Sequence, residues 1–172
     1  MEKIKIFLAS SIKEFADTRL ELKDFVRRLD DRLIDCDAYL YLFICECADN
    51  AIADEGKQPE YNRELNDSNL CFLLVGQNIG QFTIEEYDYA QKTLNERGNL
   101  KIHIVLKQCD TVDASVEEFT KTLPENVTRT DFAETRELKM LLVSAISKEL
   151  KNASLIVDGG FAIVNGKVAA KL

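Results

Sequence analysis

Residues Leu70–Gln91 read LCFLLVGQNIGQFTIEEYDYAQ. Leu70–Val75 is an unbroken apolar run, the pattern of a strand buried on both faces in a helix-covered parallel sheet. A glycine-bearing turn, Gly76–Phe82, comes next. A helical pattern then opens at about Ile84, with acids in its first turn, and stops at Gly98, a good C′ residue. Open α/β sheets bind ligands beside the carboxyl ends of their strands, where the winding reverses. A carboxylate at that place is the natural functional candidate, and Glu86 is the one this stretch offers. Thr83 and Glu86 also form a capping box, in which Glu86 reaches back to the Thr83 backbone. Acids in a first turn further oppose the helix dipole. Capping and chemistry thus compete for one side chain.

The same alternation runs outward in both directions. Lys3–Ala9 (KIKIFLA) is a strand ending in Ser10-Ser11, and Ser11 with Glu14 reads as a second capping box opening a helix. Phe15, Leu22, Phe25, Val26 and Leu29 share one face of that helix. Tyr39–Cys45 is a second buried strand. Residues 46–58 form a polar loop, longer than usual, and Pro59 begins a short helix. Downstream, Lys101–Leu106 is a strand, Ser115 with Glu118 caps a helix, and a weak strand lies near Val127–Thr130. A long helix spans about Phe132–Lys151. Strand and helix alternating in this way predict a flavodoxin-like parallel sheet of about five strands, order 2-1-3-4-5, with helices on both faces. Residues 1–152 make that domain. Residues 153–172 carry two apolar runs about Asn165-Gly166, a strong hairpin signal, and form a β-hairpin or the start of a following domain.

Composition narrows the function classes. The 172 residues carry 30 acids and 22 bases, a net charge of −8. A nucleic-acid binder needs a basic face, so none is expected as a partner. No apolar run reaches the roughly 20 residues of a membrane span, and Met1–Ser11 lacks a signal-peptide plan, so a cytoplasmic chain without membrane contact is expected. Cys36, Cys45, Cys47, Cys71 and Cys109 show no zinc spacing; Cys45, Cys47 and Cys71 read as small core residues, and no metal is expected. The single histidine, His103, lies in a strand-like run and reads as a packed residue, which leaves little material for Ser-His or Cys-His chemistry.

The 2-1-3 order places the crevice above the ends of Ala9 and Val75. Two turns line it, Ser10-Ser11 and Gly76–Phe82. The hydroxyls and free amides of the first suit a phosphate or ribose. Neither turn carries a P-loop or a dinucleotide-binding glycine fingerprint.

The run IFLASSIKEFADTRLELKDFV resembles the opening of bacterial TIR-like domains. The run SNLCFLLVGQNIGQFTIEEYDYA is similar to their third strand and following helix, including Glu86, Tyr87 and Ala90. This resemblance implies cleavage of NAD, as substrate rather than cofactor, at the nicotinamide–ribose bond, by a signalling or antiviral defence protein activated through self-association. Glu86 would be the essential acid, stabilising oxocarbenium character and orienting the attacking hydroxyl or water. Ser10, Ser11 and Gln77 would hold the substrate. Phe82 stands where many such domains place a tryptophan, and either stacks on a substrate ring or packs in the core. Gly80 replaces a usual serine, and the proline-bearing signature after the second strand has no obvious copy. Two alternatives stand beside this reading. One is a non-catalytic TIR-like assembly module, with 46–58 and the terminal hairpin as interfaces. The other is an enzyme resembling nucleoside 2-deoxyribosyltransferases, which attack the same kind of N-glycosidic carbon and share the Lys-Ile-x-Leu-Ala strand.

Overall fold

Leu70–Val75 forms a strand, β3, and all six of its side chains are buried. A computed structural model describes residues 1–44, 58–125, 127 and 129–172. Apart from its last residue, the loop expected at 46–58 lies outside the described residues, as do Cys45 and Cys47.

The elements are β1 (Glu2–Ser10), α1 (Ala16–Leu33), β2 (Ala38–Phe43), α2 (Gln58–Asn66), β3, α3 (Gln81–Arg97), β4 (Lys101–Lys107), α4 (Ala114–Thr122), β5 (Arg129–Phe132) and α5 (Thr135–Glu149). Three short strands follow: β6 (Leu155–Asp158), β7 (Phe161–Val164) and β8 (Lys167–Lys171). The main sheet has the order β2-β1-β3-β4-β5, the flavodoxin-like arrangement the alternation predicts. The β1–β3, β3–β4 and β4–β5 pairs are parallel, and Ser10 lies in register with Leu74.

Two compact units make up the chain. One comprises Ile6–Ala16 and Phe43–Phe132. Its core is β3 with its neighbours: Phe7 stacks on Phe43 at 5.4 Å, and Phe72 stacks on His103 at 4.6 Å. His103 is thus a packed strand residue, as its place in the run indicated. Helix α3 buries Thr83, Tyr87, Ala90 and Thr93, and the Tyr87 ring meets Phe119 of α4 edge-on at 5.2 Å. Gly98 ends α3 at φ +70°, a left-handed value that glycine adopts without a Cβ penalty, and its N–H closes on Leu94 O at 2.8 Å.

The other unit comprises Met1–Lys5, Asp17–Leu42 and Ala133–Leu172. Leu22, Phe25, Val26 and Leu29 of α1 are buried, and so are Leu138, Leu142, Ala145 and Ile146 of α5. Lys139 buries its stem near the Phe25 ring and donates from Nζ to Glu21 at 2.6 Å. The three C-terminal strands form an antiparallel sheet in the order β6-β7-β8. Asn165 (φ +47°) and Gly166 (φ +78°) turn β7 into β8 as the Asn-Gly signal predicts. A third strand, β6, joins through a turn of the same kind at Gly159-Gly160, beyond the single hairpin expected from sequence.

Several boundaries move for physical reasons. Helix α1 begins at Ala16, not Ser11, because residues 12–15 form a turn. Helix α3 begins at Gln81 rather than Ile84, with Gly80 as N-cap. The α4 cap is Asp113, whose side chain accepts from Ser115 N–H at 2.8 Å, so Ser115 receives the cap instead of forming it. The strand expected near Val127–Thr130 lies at Arg129–Phe132.

Leu73 is fully buried in the centre of β3, whereas Leu20 is 53% exposed. Leu73→Ala is expected to lower unfolding stability by about 2–5 kcal/mol, and Leu20→Ala by less than about 0.5 kcal/mol. Chemical denaturation at equilibrium measures both.

Candidate functional site

Three turns meet at the carboxyl ends of β1, β3 and β4. The link among them is the backbone of Gln77. Its N–H donates to Glu14 Oε1 at 2.6 Å, and its carbonyl accepts from Asp113 N–H at 2.9 Å. Glu14 belongs to the β1–α1 turn and Asp113 caps α4, so one residue of the β3–α3 turn is fastened from both sides.

Glu14 therefore does not close a capping box with Ser11. Its backbone N–H reaches Ser11 Oγ only at 3.4 Å, and Phe15 N–H donates to Ser11 O at 3.1 Å. The carboxylate is directed across the crevice, onto Gln77 N–H and, at 3.5 Å, Asn78 N–H. It lies directly over Gly76, where an added Cβ would collide with it. Glycine is needed there for this close approach, not for its backbone angle.

Ser10 ends β1 opposite Leu74. Its hydroxyl oxygen is buried and has no hydrogen-bond partner among the described residues. Such a group is costly to leave unpaired and marks a place where a ligand or water is received. Ser11 is half-buried and Gln77 exposed. The crevice thus brings together Ser10, Ser11 and Gln77 of the expected residues, and adds Glu14, which sequence reasoning had assigned to a cap.

Glu86 also departs from its expected local role. With Gly80 as N-cap, Thr83 is the third helical residue and is buried, and the first helical bond runs from Ile84 N–H to Gly80 O at 3.2 Å. Glu86 lies in the second turn, out of reach of the helix start. The capping box read at Thr83 and Glu86 does not form. Instead Thr83, Glu86, Tyr87 and Ala90 fall at the 3/4/7 spacing of the buried stripe, and Glu86 is half-buried there. Its charge is felt in the core: burial, and then the Glu86 carboxylate, push the Cys71 thiol of β3 well above the usual range. A half-buried carboxylate thus sits on the stripe that α3 turns inward, beside Thr83 and Tyr87.

Phe82 is 74% exposed in the first turn of α3, which removes the core role considered for it. A large exposed aromatic there is available to stack on a planar ring. Gly80 has open space where a Cβ would point. No group of three or more His, Cys, Asp or Glu among the described residues is placed to hold a metal ion. No helix among them is long and apolar enough to cross a membrane.

Two measurements check this geometry. Because Ile84 N–H is the first intrahelical donor, its amide exchange is expected to be protected; a helix capped by Thr83 would leave it open to water. The raised Cys71 thiol stays protonated in the folded chain while the unfolded thiol ionises near its ordinary value of about 8.5. Unfolding then releases a proton, so stability falls as pH rises past about 9, with a slope approaching one proton per molecule. Denaturant titrations above and below that pH should show this component in the wild type and its loss in Cys71→Ala.

No protein-family model matches the chain, and no curated protein matches it. Solved structures do: 18 chains match. Among them is the CMP N-glycosidase BcmB of Clostridium botulinum, with 17% identity over 80% of this chain and 96% of that one, and a TM-score of 0.48.

Proposed function

We propose that this chain is an NAD glycohydrolase of TIR-like type, with Glu86 as its essential acid. The observation that carries the reading is the half-buried carboxylate on the buried stripe of α3, the helix that follows β3, in a helix whose start it does not cap.

The reaction asks for little else. Nicotinamide leaves an N-glycosidic carbon as a neutral molecule, taking the bonding electron pair onto a ring nitrogen that was cationic, so no acid must protonate it. Positive charge then grows on the ribose carbon and ring oxygen. A fixed carboxylate stabilises that charge and aligns the water whose oxygen forms the new bond, with its proton passing to solvent. With water as acceptor the products are ADP-ribose and nicotinamide; attack by a hydroxyl of the substrate itself would give a cyclised form instead. The buried Ser10 hydroxyl suits a ribose hydroxyl or a phosphate oxygen, and the exposed Phe82 ring suits a base or the nicotinamide. The absence of a positioned histidine is no obstacle to such chemistry.

Self-association fits an outward apolar row on the C-terminal sheet. Ile156 pairs with Ile163, which pairs with Val168; Ile156 is 52% and Val168 54% exposed. Such a row is a surface that association covers. A role in signalling or defence, in which assembly turns on catalysis, belongs to the same proposal.

The test is nicotinamide release from NAD by concentrated protein, beside a folded Glu86→Gln variant. The wild type should turn over, and the variant should lose at least about a hundredfold in rate, the scale of removing one electrostatic stabiliser. Undiminished release by the variant would remove Glu86 from the mechanism. No release by the wild type in any assembled state would favour the assembly module, and base release from deoxynucleosides but not NAD the transferase-like enzyme.

A further inference from the structure

The turn after β3 already holds an anion. Two successive amides, Gln77 N–H and Asn78 N–H, face the Glu14 carboxylate at 2.6 and 3.5 Å, the arrangement of a backbone anion-binding concavity. Gly76 forms its floor, because a side chain there would strike the carboxylate. The adjacent strand ends in the buried Ser10 hydroxyl, which has no hydrogen-bond partner among the described residues. Glu14 is an unusual occupant for such a seat. It comes from a turn 63 residues away in sequence, it is half-buried rather than enclosed, and rotation about its own side-chain bonds removes it without moving the backbone.

We infer that Gly76–Asn78 is the seat for the phosphate-bearing part of the substrate, and that Glu14 holds it in the unliganded chain as a displaceable internal anion. The inference rests on the proposed function only in naming that substrate a dinucleotide. A phosphate offers the same oxygen geometry as a carboxylate to two backbone donors, with a further oxygen for a hydroxyl. The seat lies in the turn that leads into α3, the helix that carries Glu86. Because Glu14 and phosphate claim the same two amides, they compete. The apparent affinity for phosphate is lowered by the fraction of molecules in which the seat is vacant.

The experiment titrates inorganic pyrophosphate into the full chain, wild type and Glu14→Ala, following backbone amide resonances. In the variant, Gln77 and Asn78 should shift on titration, and affinity should rise about tenfold if the wild-type seat is vacant in about a tenth of molecules. Unchanged or weaker binding in Glu14→Ala, or shifts that leave Gln77 and Asn78 untouched, would overturn the inference. Should Glu14→Ala fail to fold, Glu14→Gln decides: it keeps an acceptor for Gln77 but removes the charge, so affinity should still rise, and an equal or lower affinity rejects the seat. The two readings fail separately. Wild-type protein that binds pyrophosphate as described but releases no nicotinamide retains the seat and loses the glycohydrolase; nicotinamide release without the Glu14 effect does the reverse.

Discussion

A strand with no exposed side chain dictates where chemistry can occur. All six residues of β3 are buried and apolar, and its backbone is committed to β1 on one side and β4 on the other. Polar groups in its middle would lack partners, at a cost of several kcal/mol each. Function is therefore displaced to its carboxyl end, where the chain leaves the sheet at Gly76 and amides become available. The crevice follows from the burial, since the turn that must carry the polar groups is the turn that leaves the core.

Much of this was legible in the residues. Uninterrupted apolar runs placed β3 and the neighbouring strands, period-3.6 faces placed the helices, and Asn165-Gly166 placed the β7–β8 turn. These signals are local, and local physics decides them. The two capping boxes failed for different reasons. Ser11 and Glu14, like Thr83 and Glu86, have the right spacing to satisfy helix amides, but spacing says nothing of competing partners distant in sequence. Glu14 found two amides in the β3–α3 turn, a contact across 63 residues that no window contains. At α3, Gly80 capped the helix from its backbone alone, so the helix gained Gln81, Phe82 and Thr83 and its acids moved into the second turn. The one sequence sign of the Glu14 contact was Gly76 itself, a glycine at a strand end without a turn geometry that requires one.

The shift of three residues at α3 changes the meaning of Glu86. With the helix starting near Ile84, Glu86 has a sufficient explanation at the helix end. Starting at Gln81, it joins Thr83, Tyr87 and Ala90 in the buried stripe, and helix-end electrostatics no longer account for it. Phe82 changes in the opposite direction, since the same rotation that brings Glu86 toward the sheet leaves the ring in solvent.

On the proposed reading, the two glutamates divide the work. Glu14 is held by backbone amides, its oxygens facing Gln77 and Asn78. Glu86 lies within electrostatic reach of the buried Cys71 thiol. A reaction that expels a neutral base from a cationic ring needs only one such field, aimed at the carbon where positive charge develops. Under the proposed chemistry, that requirement fits a single carboxylate in the helix stripe and a crevice otherwise furnished with hydroxyls and amides: the hydroxyls and amides would hold the ligand, and the charge would act on the bond.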